Sequence, residues 1–251
     1  MPAENKPLAQ AAGDIAETQY AQQIALFALA TLAEQRESDS ESHILRVQHY
    51  VRALSQKLSE LDAYRDVLTP DYIAALYHSA PLYDMGSVGI PDRILLKPGR
   101  LTPDELAIMR THPTIGYEAL LRAEKIQGRS SPMLVLVKEV VHAHQEKWDG
   151  SGYPRGLVGN QIPVSARIIA IADVYDALIS NKVYRQGVSH DKAVQIIFGE
   201  RGAHFDPDMV DAFIEIQDTF AEIALRFADT EEDMQRKIEY LANAIAEQTE
   251  V

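Results

Sequence analysis

Apolar residues recur at every third or fourth position in one segment after another of this chain, and no stretch alternates apolar with polar residues as a half-buried strand would. That periodicity confines the fold to helices packed on helices. A helix is expected from Asp14, with Tyr20, Ile24 and Phe27 at helical spacing and Leu26, Leu29 and Leu32 widening its apolar face. The polar run Glu34–Ser42 interrupts it, and a second face begins at His43, through Ile44, Val47, Val51, Leu54 and Leu58. Later starts carry caps. Thr69-Pro70-Asp71 puts Thr at the N-cap and Pro at the first helical position, for a helix to about Ala80 that Pro81 disturbs. Thr102-Pro103-Asp104-Glu105 repeats the signal, and Ser131-Pro132 opens MLVLVKEVVHAHQEK, too apolar on one side to be exposed. Residues 149–159 (DGSGYPRGLVG), with four Gly and one Pro, read as loop. Pro163 starts a helix to about Ser180, and helical stretches over 207–227 and 230–248 close the chain. The expected class is all-α.

At about 150 residues to a domain, 251 residues make between one and two domains. The expected division is a lead-in and helix over 1–40, its first dozen residues flexible, and a main domain with C-terminal helices over 41–251. The absence of cysteine excludes a disulfide framework, a zinc ribbon, a thiol nucleophile and a thiolate iron–sulfur cluster. Lys and Arg number 24 against 37 Asp and Glu, a net charge of −13. Such a surface repels phosphate backbones and anionic membranes, which argues against general nucleic-acid binding. A small phosphorylated ligand held by a few local cations stays open. The longest nearly apolar run, Ile24–Ala33, is too short to span a bilayer, and the N-terminus lacks a basic-then-apolar signal pattern. A soluble, cytoplasmic protein is expected.

Imidazole and carboxylate side chains stand along successive helical segments: His43, Asp84, His112, His144 and Asp173. Taken singly, each has an ordinary structural reading. His43 starts a helix and is exposed; Asp84, two residues before Gly86, belongs to a turn; His112, before Pro113, marks a helix bend. His144 is a satisfied core histidine, and Asp173, within IIAIADVYDAL, hydrogen-bonds a neighbouring helix because a lone buried carboxylate is costly. His142 and His144 lie two apart on one helix and face different ways, so at most one is a ligand. Taken together, N and O donors without thiolate suit iron, manganese or another transition metal in the core of a helical bundle.

Residues 146–178, EKWDGSGYPRGLVGNQIPVSARIIAIADVYDAL, resemble the signature of HD-GYP domains. The resemblance extends to GSVGIPDRILLKPGRLTPDEL (86–106), MRTHPTIGYEAL (109–120) and GAHFDPDMVDAF (202–213), and so covers roughly 43–213. It implies a metal-dependent phosphohydrolase fold: an HD-domain-like helical bundle, here with extra N- and C-terminal helices. It also implies activity on the bacterial second messenger cyclic di-GMP or related cyclic dinucleotides. Two or three bridged metals, often iron or manganese, would activate a hydroxide and neutralise phosphoryl charge.

By this resemblance the metal ligands fall on His43, Asp84, His112, His144 and Asp173, with Asp39 in the place where the family often has Glu. Gly152-Tyr153-Pro154 is intact, and Lys182 and Arg185 match two cations that grip the dinucleotide phosphates. Three positions depart: Tyr83 stands where the signature has His, Ser87 where a Lys contacts the phosphodiester, and Gln145 where a second His would ligate. A tyrosine is a poor ligand unless ionised, with an ordinary pKa of about 10. Gln145 offers a neutral amide, and Ser87 removes a cation. Trp148 is expected to pack under the glycine-rich loop. The reading that follows is a degenerate domain in cyclic di-GMP signalling, which binds a cyclic dinucleotide, a protein partner or both, with little or no hydrolysis and lowered metal occupancy. The alternative is an active metal-dependent phosphodiesterase, yielding pGpG or GMP, with an altered centre. A third reading is a purely structural interaction module that binds no nucleotide and meets a partner through residues 14–35 or 207–248; the face with Ile24 and Phe27 would pack on the domain or join two copies.

Overall fold

The computed structural model describes residues 17, 20–21, 23–33, 41–97, 99–181 and 186–249. These form α1 (residues 23–33), α2 (Glu41–Leu58), α3 (Asp62–Arg65), α4 (Pro70–Ser79), α5 (Asp92–Leu95), α6 (Pro103–Met109), α7 (His112–Gln127), α8 (Pro132–Ala143), α9 (Val164–Ile179), α10 (His190–Gly199), α11 (Pro207–Glu215), α12 (Gln217–Arg226) and α13 (Glu231–Thr249). Strand pairing among the described residues is confined to two isolated bridges, Asp149 with Val158 and Arg201 with Phe205. The all-α expectation is met.

The caps act as the sequence implies. Thr69 and Ser131 accept from the backbone N–H groups of Tyr72 and Leu134, and Thr102 with Glu105 forms a reciprocal capping box. Each satisfies a helix donor that would otherwise be orphaned and so fixes where α4, α6 and α8 begin.

The core forms around α2, which packs against α4, α9, α11 and α12. Tyr50, fully buried, stacks on Phe220 at 4.6 Å and meets Tyr175 edge-on at 5.2 Å. Such aromatic pairs contribute about 0.5–1.5 kcal/mol beyond their buried area. A smaller cluster of Ala30, Ile44, Leu82, Val137 and Val141, flanked by Leu26 and Phe27, docks α1. Of the face expected to pack on the domain or join two copies, Phe27 packs on the domain while Ile24 is exposed, because the buried stripe runs through Leu26, Phe27, Ala30 and Ala33.

Other boundaries move for physical reasons. The expected stretch 207–227 is two helices, broken at Ile216, whose backbone (φ −119°, ψ 18°) leaves the helical region. The break turns both Phe213 and Phe220 inward, 4.9 Å apart. Helix α8 ends at Ala143 rather than running on to Lys147, leaving His144 as its C-cap. Helix α10 is absent from the sequence reading, although Ser189 caps it and Ala193 and Ile197 bury one face. Trp148 packs as expected: Gly159 N–H donates to its carbonyl, and the Arg167 guanidinium lies 5.6 Å over its ring.

Candidate metal centre

Asp84, His112 and His144 come from three elements and converge. Asp84 caps the 3-10 turn Met85–Gly89, His112 is the first residue of α7, and His144 caps the end of α8. Gly86 brings the first two together, since a Cβ at this position would lie 2.0 Å from the His112 carbonyl oxygen and 2.7 Å from Gly116 N. Only a glycine allows that turn to seat on α7. One ligand atom from each of the three side chains lies within 4.8 Å of the others. Asp84 Oδ1 is 3.3 Å from His112 Nε2 and 4.0 Å from His144 Nε2, and the two imidazole Nε2 atoms are 3.2 Å apart.

The backbone settles which ring nitrogens carry hydrogen. His112 Nδ1 donates to the Met109 carbonyl at 2.8 Å, and His144 Nδ1 to that of Val141 at 3.1 Å. Carbonyls only accept, so the neutral rings turn bare Nε2 lone pairs toward each other. Burial favours that neutral form: it lowers His112, and it lowers His144 to about 3, with the neighbouring His112 adding to the effect. Two lone pairs and a carboxylate oxygen facing one another have no proton to share and are suited to a cation. The donor set of two imidazoles and one carboxylate fits a divalent ion of the iron or manganese type.

His43 and Asp173 are not part of this cluster. His43, at a helix start and expected on the ordinary reading to be exposed, is buried on α2, with Nδ1 donating to Asp176 at 2.8 Å. Its Nε2 lies 3.1 Å from the Tyr83 hydroxyl, and that hydroxyl donates to Asp173 Oδ1 at 2.7 Å. Tyr83 is itself buried, so its phenol joins α2 to α9 through two side chains that the resemblance makes metal ligands. Ser87 is also fully buried, and its Oγ has no hydrogen-bond partner among the described residues. Gln145 is half-buried, and its carbonyl accepts from Tyr153 N–H at 3.1 Å. Asp39, Lys182 and Arg185 lie outside the described residues. His142 faces away from the centre and stacks on Tyr117 at 4.0 Å.

The loop that follows α8 is anchored from below. Buried Glu146 accepts from the backbone N–H groups of Arg155 and Leu157 at 2.8 and 2.9 Å. Gly152 lies so close to this segment that a Cβ would meet Lys147 N at 2.2 Å. Tyr153 is thereby held with its ring 6.0 Å edge-on from His112, and Pro154 follows it through a cis bond. The Arg110 guanidinium lies 5.4 Å over the Tyr153 ring. Burial first, and the charge of Asp84 second, push the Tyr153 hydroxyl up, so it stays a neutral donor.

The HD-domain profile matches residues 28–209, well over half of the chain. The chain also shares 52% identity over 213 residues with a probable cyclic di-GMP phosphodiesterase of Vibrio cholerae, covering 85% of this chain and 48% of that protein. The chain belongs to the HD-GYP family of HD domains. A cyclic di-GMP phosphodiesterase response regulator of Xanthomonas campestris is 38% identical over 186 residues, 74% of this HD-GYP chain and 46% of the regulator. The chain thus spans about half the length of the curated relatives it matches. In fold it is similar to an HDG"Y"P protein from Bdellovibrio bacteriovorus (TM-score 0.51, 21% identity, 70% of this chain and 51% of that one). It is also similar to a cyclic GMP-AMP specific phosphodiesterase of V. cholerae (TM-score 0.52, 17% identity, 90% and 58%). Among the described residues, no helix is long and apolar enough to cross a membrane.

The sequence reading of this HD-GYP chain passed over Arg46, Asp176, Glu146 and Arg110. Of the two carboxylates in IIAIADVYDAL, Asp176 is the fully buried one and Asp173 is half-buried. Arg46 donates to Asp176 through Nε at 2.6 Å and Nη2 at 2.9 Å. Burial alone would raise Asp176, but the Arg46 and His43 hydrogen bonds hold it well below the usual carboxylate range. The signal was present: Arg46 follows His43, and Asp176 follows Asp173, each by one helical turn on a shared face.

Proposed function

We propose that the chain is a cytoplasmic signalling domain, built on residues 41–251, that binds a cyclic dinucleotide of the cyclic di-GMP class and hydrolyses it little or not at all. One observation carries this reading: the Tyr83 hydroxyl joins His43 to Asp173 while Asp84, His112 and His144 stay together. Relatives named as cyclic di-GMP phosphodiesterases supply the ligand class. Asp84, His112 and His144 would hold an iron or manganese ion, which when bound supplies positive charge to a phosphate oxygen and acidity to water. Tyr153 presents its ring and a neutral hydroxyl beside that centre, and Arg110, exposed above the ring, adds a cation suited to phosphate or to stacking on a base. Buried Ser87 offers no charge where the family's Lys would stand.

The second reading, an active phosphodiesterase, is favoured by the intact Asp84–His112–His144 cluster and by 52% identity to a protein named for that activity. The test is turnover and binding in one preparation. Protein purified anaerobically and supplied with Fe(II) or Mn(II) is incubated with cyclic di-GMP, products are followed by chromatography, and affinity is measured by calorimetry. Binding without products supports the first reading, and pGpG or GMP supports the second. Absence of both, with metal bound, overturns the nucleotide assignment.

A further inference from the structure

Among the described residues, the structure assigns this chain a single metal position, at Asp84, His112 and His144, with the Tyr83 hydroxyl standing where His43 and Asp173 would otherwise open a second. Two side-chain groupings of the same donor types lie next to each other, and they are satisfied differently. In the first, the Nδ1 hydrogens of both imidazoles go to backbone carbonyls, so what faces inward is lone pairs and carboxylate oxygen 3.2–4.0 Å apart. A cation completes that arrangement. In the second, a phenol oxygen already lies 3.1 Å from the imidazole nitrogen and 2.7 Å from the carboxylate oxygen, and it donates its hydrogen to the latter. An ion bonding both atoms would have to compete with the phenol oxygen that bridges them.

The surroundings favour the phenol. Tyr83 is 5% exposed, with its ring edge-on to His144 at 5.2 Å. His43 Nδ1 donates to Asp176, which two donors of Arg46 hold, so the ring is fixed with its Nε2 against the phenol oxygen. The inference rests on the metal centre of the proposed function but not on its nucleotide, so the two can fail separately.

The experiment counts ions. The full chain is stripped with chelator, reloaded with Mn(II), freed of excess and assayed by elemental analysis and Mn(II) electron paramagnetic resonance. About one ion per chain with the uncoupled spectrum of an isolated Mn(II) is expected. His112→Ala should lose it, and His43→Gln should keep it. Tyr83→His, which exchanges the hydroxyl for an imidazole, should raise the count to about two with exchange coupling. Two coupled ions in the native chain would overturn the inference, as would loss of the lone ion in His43→Gln but not in His112→Ala. No ion in any form would overturn the metal centre itself. Nucleotide binding enters none of these readouts, and the native spectrum decides even if a variant fails to fold.

Discussion

Arg46 and Asp176 form the buried charge pair that fixes His43, and a double-mutant cycle on them tests whether the pair is a staple or a burden. Arg46 is 3% exposed and Asp176 is fully buried. Removing either partner leaves the other's charge in the core, at a cost of about 3–5 kcal/mol. Arg46 keeps partial company from the Phe227 carbonyl at 2.9 Å and from Asp229 at 3.3 Å, so Asp176→Leu should fall at the lower end of that range. Arg46→Met leaves Asp176 its contacts to His43 and Ser180 but no guanidinium, and should fall at the upper end. The double variant, Arg46→Met with Asp176→Leu, buries no orphaned charge and should cost several kcal/mol less than the sum of the singles. The assay is urea unfolding followed by circular dichroism on all four proteins. In the native chain the folded state holds Asp176 below its ordinary value, so the pair's stability is full above the unfolded pKa of about 3.9 and is lost as pH falls below it. Additive single effects, or singles costing under about 1 kcal/mol, would show that solvent or relaxation satisfies the orphaned charge and would refute the reasoning.

Gly86→Ala must move a Cβ away from the His112 carbonyl, so it should destabilise the fold by about 1–3 kcal/mol and weaken Mn(II) binding, read by thermal melting and metal titration. Glu146→Gln gives up one of two charge-assisted acceptors, at a cost of about 1.5–3 kcal/mol locally. It should speed amide exchange at Arg155 and Leu157 with little change at α2. Arg110→Ala should weaken cyclic di-GMP binding about tenfold and flatten its salt dependence, measured by calorimetry at two ionic strengths, while metal affinity stays the same.

Much of this fold was legible because its signals are local. Thr69, Thr102 and Ser131 each announce a helix with a side chain that acts within three residues, and the apolar stripe from Ile44 to Leu58 describes the central helix. What escaped depends on partners distant in sequence. Nothing near Ile216 marks the break, which follows from Phe220 reaching Tyr50. The site divides in the same way. Donor types pointed to His43, Asp84, His112, His144 and Asp173, but grouping them as three and two requires knowing that Tyr83 reaches across from the turn to α2 and α9. Asp173 drew attention ahead of Asp176 because burial cannot be read from composition when both lie in one apolar helix.

The phenol bridge also predicts where metal binding will be felt. In a centre that used His43 and Asp173 as ligands, an ion would tie α2 to α9, and removing it would loosen the core. Here those helices are joined without one, through His43–Tyr83–Asp173 and Arg46–Asp176. An ion at 100 times its dissociation constant adds about 2.7 kcal/mol to stability. That gain should be confined to the elements that supply the ligands: the turn Met85–Gly89, the start of α7 and the end of α8. Hydrogen exchange with and without Mn(II) should therefore show added protection at those segments, with α2 and α9 already protected in the stripped protein. Tyr83→Phe removes the bridge and should loosen α2 and α9 in the absence of metal. Equal metal-dependent protection of α2 and α9 in the native chain would mean that the ion, not the phenol, holds them together.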